Sequence, residues 1–196
     1  MANNEPLKVQ VITDVHYYSR KLGVEGKAYD KMESKSQMVI KDSPYVIKRG
    51  FDMLCEDKST DIVLLSGDTT HDGEMDSHTE FIEMLRELKS RGKRVYVITA
   101  THDYQDNGIA YACRGDERVH DLWDMYYEFG PNEAISTHPD SMSYVVQLAP
   151  GYRLFALNDD TNYKPEGERG SGFSDDCMNW IMEQLEDAKK NDQFVI

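Results

Sequence analysis

Cysteine is scarce in this chain. There are three in 196 residues, Cys55, Cys113 and Cys177, and none forms a CxxC pair. Thiols so few and so scattered exclude a disulfide framework and read as reduced, structural residues. Long apolar runs are missing too, since nothing approaches the ~20 residues of a membrane span. The polar start, residues 1–6, passes straight into a strand pattern without the parts of a signal peptide, which points to a cytoplasmic protein. Basic residues are the third shortage: 22 Lys and Arg stand against 36 Asp and Glu, for a net charge of −14. A chain this acidic lacks the clustered cations of a nucleic-acid surface. Small phosphorylated substrates stay open to it, because bound divalent cations can supply positive charge locally. Hydrophobic residues make up 39%, enough for a core, and the length fits one domain or a large part of one.

What is present reads as an α/β chain. Residues 8–13 form a β-branched run expected as a buried first strand. Residues 17–42, polar with Gly23 and Gly26, read as a long loop or lid. Ser43 and Pro44 open a helix whose Ile47, Phe51, Leu54 and Cys55 share one face. The continuous apolar run 62–65 is a strand buried on both faces. Ser77 with Glu80 makes a capping box for a helix carrying Phe81, Leu85 and Leu88 inward. Residues 95–98 give the third run. Alternating strands and helices imply a largely parallel sheet. Beyond it the chain reads as a loop over 104–119, a short helix over 120–129, and a hairpin of 143–148 with 152–157. Ser174 then caps a helix with Met178, Ile181, Leu185 and Ala188 on one face. Residues 194–196 begin another strand where the chain stops, so the expectation is the N-terminal part of one domain, incomplete at its C-terminus.

Three polar clusters each follow an expected strand, where open α/β sheets place ligands. In Asp14-Val15-His16 the carboxylate and imidazole stand two residues apart, so on extended backbone both can turn to one ion. In Gly67-Asp68, followed by Asp72 and Gly73, the glycine permits a sharp turn and Asp68 can bridge two ions. His71 and His78 nearby suit a solvated loop or helix start. In Ala100-Thr101-His102-Asp103 the imidazole is a candidate general acid, with its proton affinity set by Asp103. Each cluster alone is an ordinary loop; three in order after three strands point to a site.

These clusters resemble the D-x-H, G-D-x-x-x-D-G and G-N-H-D blocks of calcineurin-like metallophosphoesterases, and the resemblance runs on through 121–135, Ser143-Tyr144, Leu157-Asn158-Asp159 and the helix from Ser174. It implies a layered αββα sandwich of mixed sheets. It also implies two divalent metal ions, of Mn, Fe, Zn or Co type, with Asp14 and His16 on the first and Asp68 bridging both. His102 would protonate the leaving oxygen, Asp103 would orient it, and a metal-activated water would attack a small phosphomonoester or phosphodiester in line.

Two departures stand out. The Asn that ligates the second metal is Thr101 here, and a neutral hydroxyl is the poorer ligand. The later histidines, including a G-H-x-H block, are absent, and His120 and His138 stand in other contexts. A chain with so few ligands is expected to be inactive or weakly active alone. The alternative is a non-catalytic domain using a partial metal or phosphate pocket as a binding module. Asp14-Val15-His16 is not the D-x-D of a haloacid-dehalogenase-type phosphatase, and residues 14–26 hold no dinucleotide-binding G-x-G-x-x-G.

Overall fold

The apolar run Ile62–Ser66 is β2, the middle strand of a parallel sheet in which β1, Gln10–Ile12, and β3, Arg94–Ile98, are its neighbours. The computed structural model describes residues 6–36, 39–104, 118–138, 141–159 and 172–196. Alternation along β2 explains why it reads as continuous hydrophobe. Val63 and Leu65 face Phe51 and Cys55 of α2 (Ser43–Glu56), Phe81, Leu85 and Leu88 of α3 (Met75–Ser90), and Leu122 and Tyr126 of α4 (Arg118–Tyr126). Ile62 and Leu64, with Tyr96, pack instead on Tyr144, Val146, Leu148 and Leu154 of a second sheet. Phe81 and Leu85 are wholly buried, and each such side chain contributes about 1.5–3 kcal/mol of burial.

The second sheet runs in the order β4 (Ala134–Thr137), β5 (Tyr144–Ala149), β6 (Tyr152–Ala156) and β7 (Phe194–Val195). It is mixed: β4, β5 and β6 pair antiparallel, while β7 lies parallel to β6. α5, Asp175–Lys190, covers its far side. There Trp180 donates to Ser136 at 2.9 Å, and Arg153 pairs with Asp187 at 2.7 Å. The layers are therefore helix, sheet, sheet, helix, the αββα order that the family resemblance implies. Ser174 caps α5 as expected, its hydroxyl accepting from the Cys177 N–H.

Several expectations need correction. β1 lies at the sheet edge with Val11 58% exposed, so it is not a buried strand. Residues 17–42 hold a short 3-10 turn, Arg20–Leu22, and a helix, α1, Lys27–Lys35. Tyr18, Tyr29 and Ile40 knit these into a small core of their own. Ser77 and Glu80 make no capping box, because α3 begins at Met75. The Ser77 hydroxyl accepts from the Ser19 N–H, and Glu80 accepts from the Tyr17 hydroxyl. On α5 the buried face is Cys177, Ile181 and Ala188, with Met178 42% exposed and Leu185 36%. β4 was not expected at all. The loop over 104–119 lies, apart from its ends, outside the described residues, as does Cys113; Cys55 and Cys177 are buried. Among the described residues no helix is long and apolar enough to cross a membrane.

Candidate metal centre

β1 and β2 go on pairing after both strands end. The His16 N–H donates to the Asp68 carbonyl at 2.9 Å, the Tyr17 N–H to the Thr69 carbonyl at 2.9 Å, and the His71 N–H to the Tyr17 carbonyl at 3.0 Å. This lashing sets the loops of the first two clusters side by side. It also bends them hard. Among the described residues four non-glycines adopt positive φ, and three are Asp14 (52°), His16 (46°) and Asp68 (48°). Left-handed backbone costs an ordinary residue roughly 1–2 kcal/mol, and such strain gathers at functional sites. Gly67 turns the chain ahead of Asp68 at φ 91°, and a Cβ there would lie 2.4 Å from the Ala100 Cβ. The β2 and β3 loops approach each other that closely.

The side chains converge in part. Donor atoms of His16, Asp68 and His102 all lie within 4.8 Å of one another. Asp14 adjoins this trio through His16, whose Nε2 stands 3.8 Å from Asp14 Oδ1 and 3.9 Å from Asp68 Oδ2. Those gaps are too long for hydrogen bonds. They are a few tenths of an ångström wider than donors around one tetrahedral ion bound at about 2.0–2.2 Å, so a bound cation would draw them inward. The His16 side chain is 11% exposed, and its buried Nδ1 has no hydrogen-bond partner. One imidazole poised between two carboxylates it does not bond is a donor set that fits a cation. Asp14 is 69% exposed, at the mouth. Thr101 is exposed at the start of the 3-10 turn Thr101–Asp103 that carries His102.

The two histidines are pulled in opposite directions. Burial, helped by the positive charge of His102, holds His16 below the ordinary imidazole range against the pull of Asp68 and Asp14. His102 is pushed up to about 9, chiefly by its hydrogen bond to Asp72, with help from the His71 carbonyl and from Asp68. Their ring centroids are 4.6 Å apart, edge to face. His102 Nδ1 lies 2.6 Å from the His71 carbonyl and 3.2 Å from Asp72 Oδ1. A carbonyl can only accept, so Nδ1 carries the proton and the second proton of the charged ring sits on Nε2. The His102 backbone N–H donates to Asp68 Oδ1 at 2.9 Å, which fixes that carboxylate.

The carboxylate hydrogen-bonded to the His102 ring is thus Asp72, where the family resemblance implies Asp103. Asp103 is buried and serves as a clamp between loops. Its Oδ1 accepts from the Thr69 hydroxyl (2.6 Å) and the Thr70 N–H (2.9 Å), and its Oδ2 from the Ala100 N–H (3.0 Å). Its carbonyl lies 3.2 Å from Nε2 of the fully buried His78, whose Nδ1 meets the Tyr126 hydroxyl at 2.8 Å. His71 and His78 are therefore not solvated. Asp72 stood in the sequence cluster, but nothing local marks it as the partner of a histidine thirty residues on. Beside Asp14 and His16 lies a cavity of about 270 Å³, walled by Val15, Val39, Val46 and Ile47.

Comparison with known proteins supports the fold and the family. Among solved structures, a dimetal phosphatase from Danio rerio superposes with a TM-score of 0.63 over 95% of this chain and 67% of that one, at 15% sequence identity. Curated protein sequences yield no match. The calcineurin-like phosphoesterase family matches from residue 7 to residue 196, nearly the whole chain with all three loop clusters, and the chain belongs to that family.

Proposed function

We propose that this site hydrolyses phosphomonoesters or phosphodiesters, with Asp14, His16 and Asp68 as metal ligands and His102 as the acid that protonates the leaving oxygen. The observation that carries the reading is the convergence of His16, Asp68 and His102, whose donor atoms all lie within 4.8 Å of one another with Asp14 beside them. The metal-free proton affinities of the two rings, lowered at His16 and raised at His102, are in keeping with a ligand and an acid, since a neutral ring binds a cation and a protonated ring serves a leaving alkoxide. Divalent cations held here would polarise phosphoryl oxygens and make water a usable nucleophile near neutral pH, and imidazole with carboxylate favours Mn, Fe, Zn or Co. The chain's own residues do the positioning. Asp68 is steadied by the His102 N–H, and the His102 ring by Asp72 and the His71 carbonyl. Asp103 holds the two loops in register. The apolar cavity beside Asp14 has room for the organic part of a small ester.

Thr101, exposed where the family places a metal-binding Asn, favours a second reading, a binding module that keeps the pocket without turnover. Calorimetric titration with Mn²⁺, run beside hydrolysis of p-nitrophenyl phosphate and its bis ester, separates the two. Expected are weak Mn²⁺ binding and weak hydrolysis, the hydrolysis falling further in His102→Ala, toward the roughly 10²–10⁴-fold loss of a general acid, with binding retained. Binding without turnover of either ester selects the module. Loss of Mn²⁺ in His102→Ala would make His102 a ligand instead of the acid.

A further inference from the structure

The loop after β2 brings two more side chains, His71 and Glu74, up to Asp72 at the rim of this centre. His71 Nδ1 lies 3.4 Å from Asp72 Oδ2 and 3.4 Å from Glu74 Oε1. The His71 side chain is 7% exposed and that of Glu74 10%, yet His71 Nδ1 has no hydrogen-bond partner. An imidazole nitrogen sealed from water and bonded to nothing is costly. Here it is aimed between two carboxylate oxygens at equal distance. Donors held at about 2.0–2.2 Å around a tetrahedral ion stand about 3.3–3.6 Å apart, the spacing found here.

The ligands are also held from behind. Glu74 Oε2 accepts from the Asp72 N–H at 3.2 Å, leaving Oε1 to face His71. The His71 backbone is fixed at both ends, its N–H to the Tyr17 carbonyl and its own carbonyl to His102 Nδ1. The Tyr18 ring stands edge-on to the imidazole at 5.6 Å. Support of this kind preorganises a site before its ion arrives. The N-terminus of α3, beginning at Met75, carries roughly half a positive charge and would draw carboxylates to it without any metal. That charge does not account for a buried imidazole with an unbonded nitrogen directed at both of them.

We propose that His71 Nδ1, Asp72 Oδ2 and Glu74 Oε1 form a separate site for a zinc-type divalent cation. One imidazole and two carboxylates suit Zn, and the fourth position opens on the side of Asp72, whose side chain is 27% exposed. The site does not rest on the proposed hydrolase reading, since its ligands differ from Asp14, His16 and Asp68. It touches that centre at one point, because Asp72 Oδ1 is the oxygen bonded to His102.

The test is Zn²⁺ equilibrium dialysis on the whole chain, with Co²⁺ absorption to report coordination. Asp68→Asn, which disables the main centre, is expected to retain one zinc equivalent and to give the visible bands of tetrahedral Co²⁺. Adding His71→Gln, or separately Glu74→Gln, should remove that equivalent and those bands. Near-ultraviolet circular dichroism identifies the variants that have folded. A folded Asp68→Asn protein that binds no zinc, or folded double variants that both keep the equivalent, would overturn the proposal. If Asp68→Asn instead loses no metal relative to the parent, the ligand assignment of the main centre fails while this site stands.

Discussion

Replacing Asp103 separates two physical roles for that residue, a clamp between loops and a charge that orients His102. In Asp103→Ala the Thr69 hydroxyl can turn to the Tyr126 hydroxyl, 3.2 Å away, and the Thr70 hydroxyl to the His102 carbonyl at 3.4 Å. The N–H groups of Thr70 and Ala100 have no such alternative and lose their acceptor. An unsatisfied buried donor costs about 1–3 kcal/mol, so the pair costs about 2–6, reduced somewhat because a buried charge goes as well. A net loss of about 2–5 kcal/mol is expected. Asp103→Asn keeps an oxygen for the two threonines and turns an amide donor toward the Ala100 N–H, so about 1–3 kcal/mol is expected. Urea unfolding followed by Trp123 and Trp180 fluorescence reads both. At slopes of roughly 1–3 kcal/mol per molar, a 3 kcal/mol loss moves the midpoint by about 1 M or more. Both variants within about 0.5 kcal/mol of the parent, with Mn²⁺-dependent hydrolysis lost, would refute the clamp and restore Asp103 as the orienting charge.

Gly67→Ala should destabilise by about 2–4 kcal/mol in the same assay, since it combines positive φ with a 2.4 Å approach to the Ala100 Cβ. Ala100→Gly in that background should recover only the contact, and full recovery would show that φ is not strained. Burial holds His78 below its ordinary proton affinity, so the unfolded chain gains a proton near pH 6.5 that the folded chain refuses, and stability falls as pH drops below that value. His78→Gln should be less stable at pH 7 but show a shallower decline toward pH 5.5, and equal slopes would remove His78 as the cause. Thr101→Asn should tighten Mn²⁺ binding measured by calorimetry, because an amide oxygen is the better donor; unchanged affinity would make Thr101 a bystander.

Legibility in the sequence followed the range of the forces involved. The runs at 62–65 and 95–98 could be read because each strand is covered on both faces, leaving no polar gap to blur them. The helical stripes Phe51 with Cys55, and Phe81 with Leu85 and Leu88, could be read because burial alone sets that period. α1 could not, since in KAYDKMESK only Tyr29 is buried and its hydroxyl bonds Glu33 within the helix. β4 is four residues that alternate between half-buried and exposed, and its pairing with β5 is the strand signal its own sequence lacks. The false capping box failed for a related reason. Ser77 and Glu80 have the right spacing, but their partners, Ser19 and Tyr17, come from 58 and 63 residues away.

The same division runs through the site. Which residue types would gather could be read, because carboxylate and imidazole after successive strands is chemistry written in local motifs. Which carboxylate serves which imidazole could not, because that depends on how far each loop folds back over the sheet. The backbone shows what forces the loops to do so. Asp14, His16 and Asp68 take positive φ although each has a β-carbon, and Gly67, beside Asp68, is pressed against Ala100. Aspartate and histidine tolerate left-handed backbone better than most residues, so each costs less than the roughly 1–2 kcal/mol of an ordinary side chain, yet three together still count against the roughly 5–15 kcal/mol that a domain retains. An arrangement so unfavourable persists only where surrounding bonds over-determine it. Here those bonds are the continued pairing of the β1 and β2 loops and the buried Asp103 joining the β2 and β3 loops. If the strain exists to aim donors, its cost is already met in the metal-free fold, so a cation held by His16 and Asp68 should bind more tightly than it would on relaxed loops and stabilise the fold in proportion to that tighter binding.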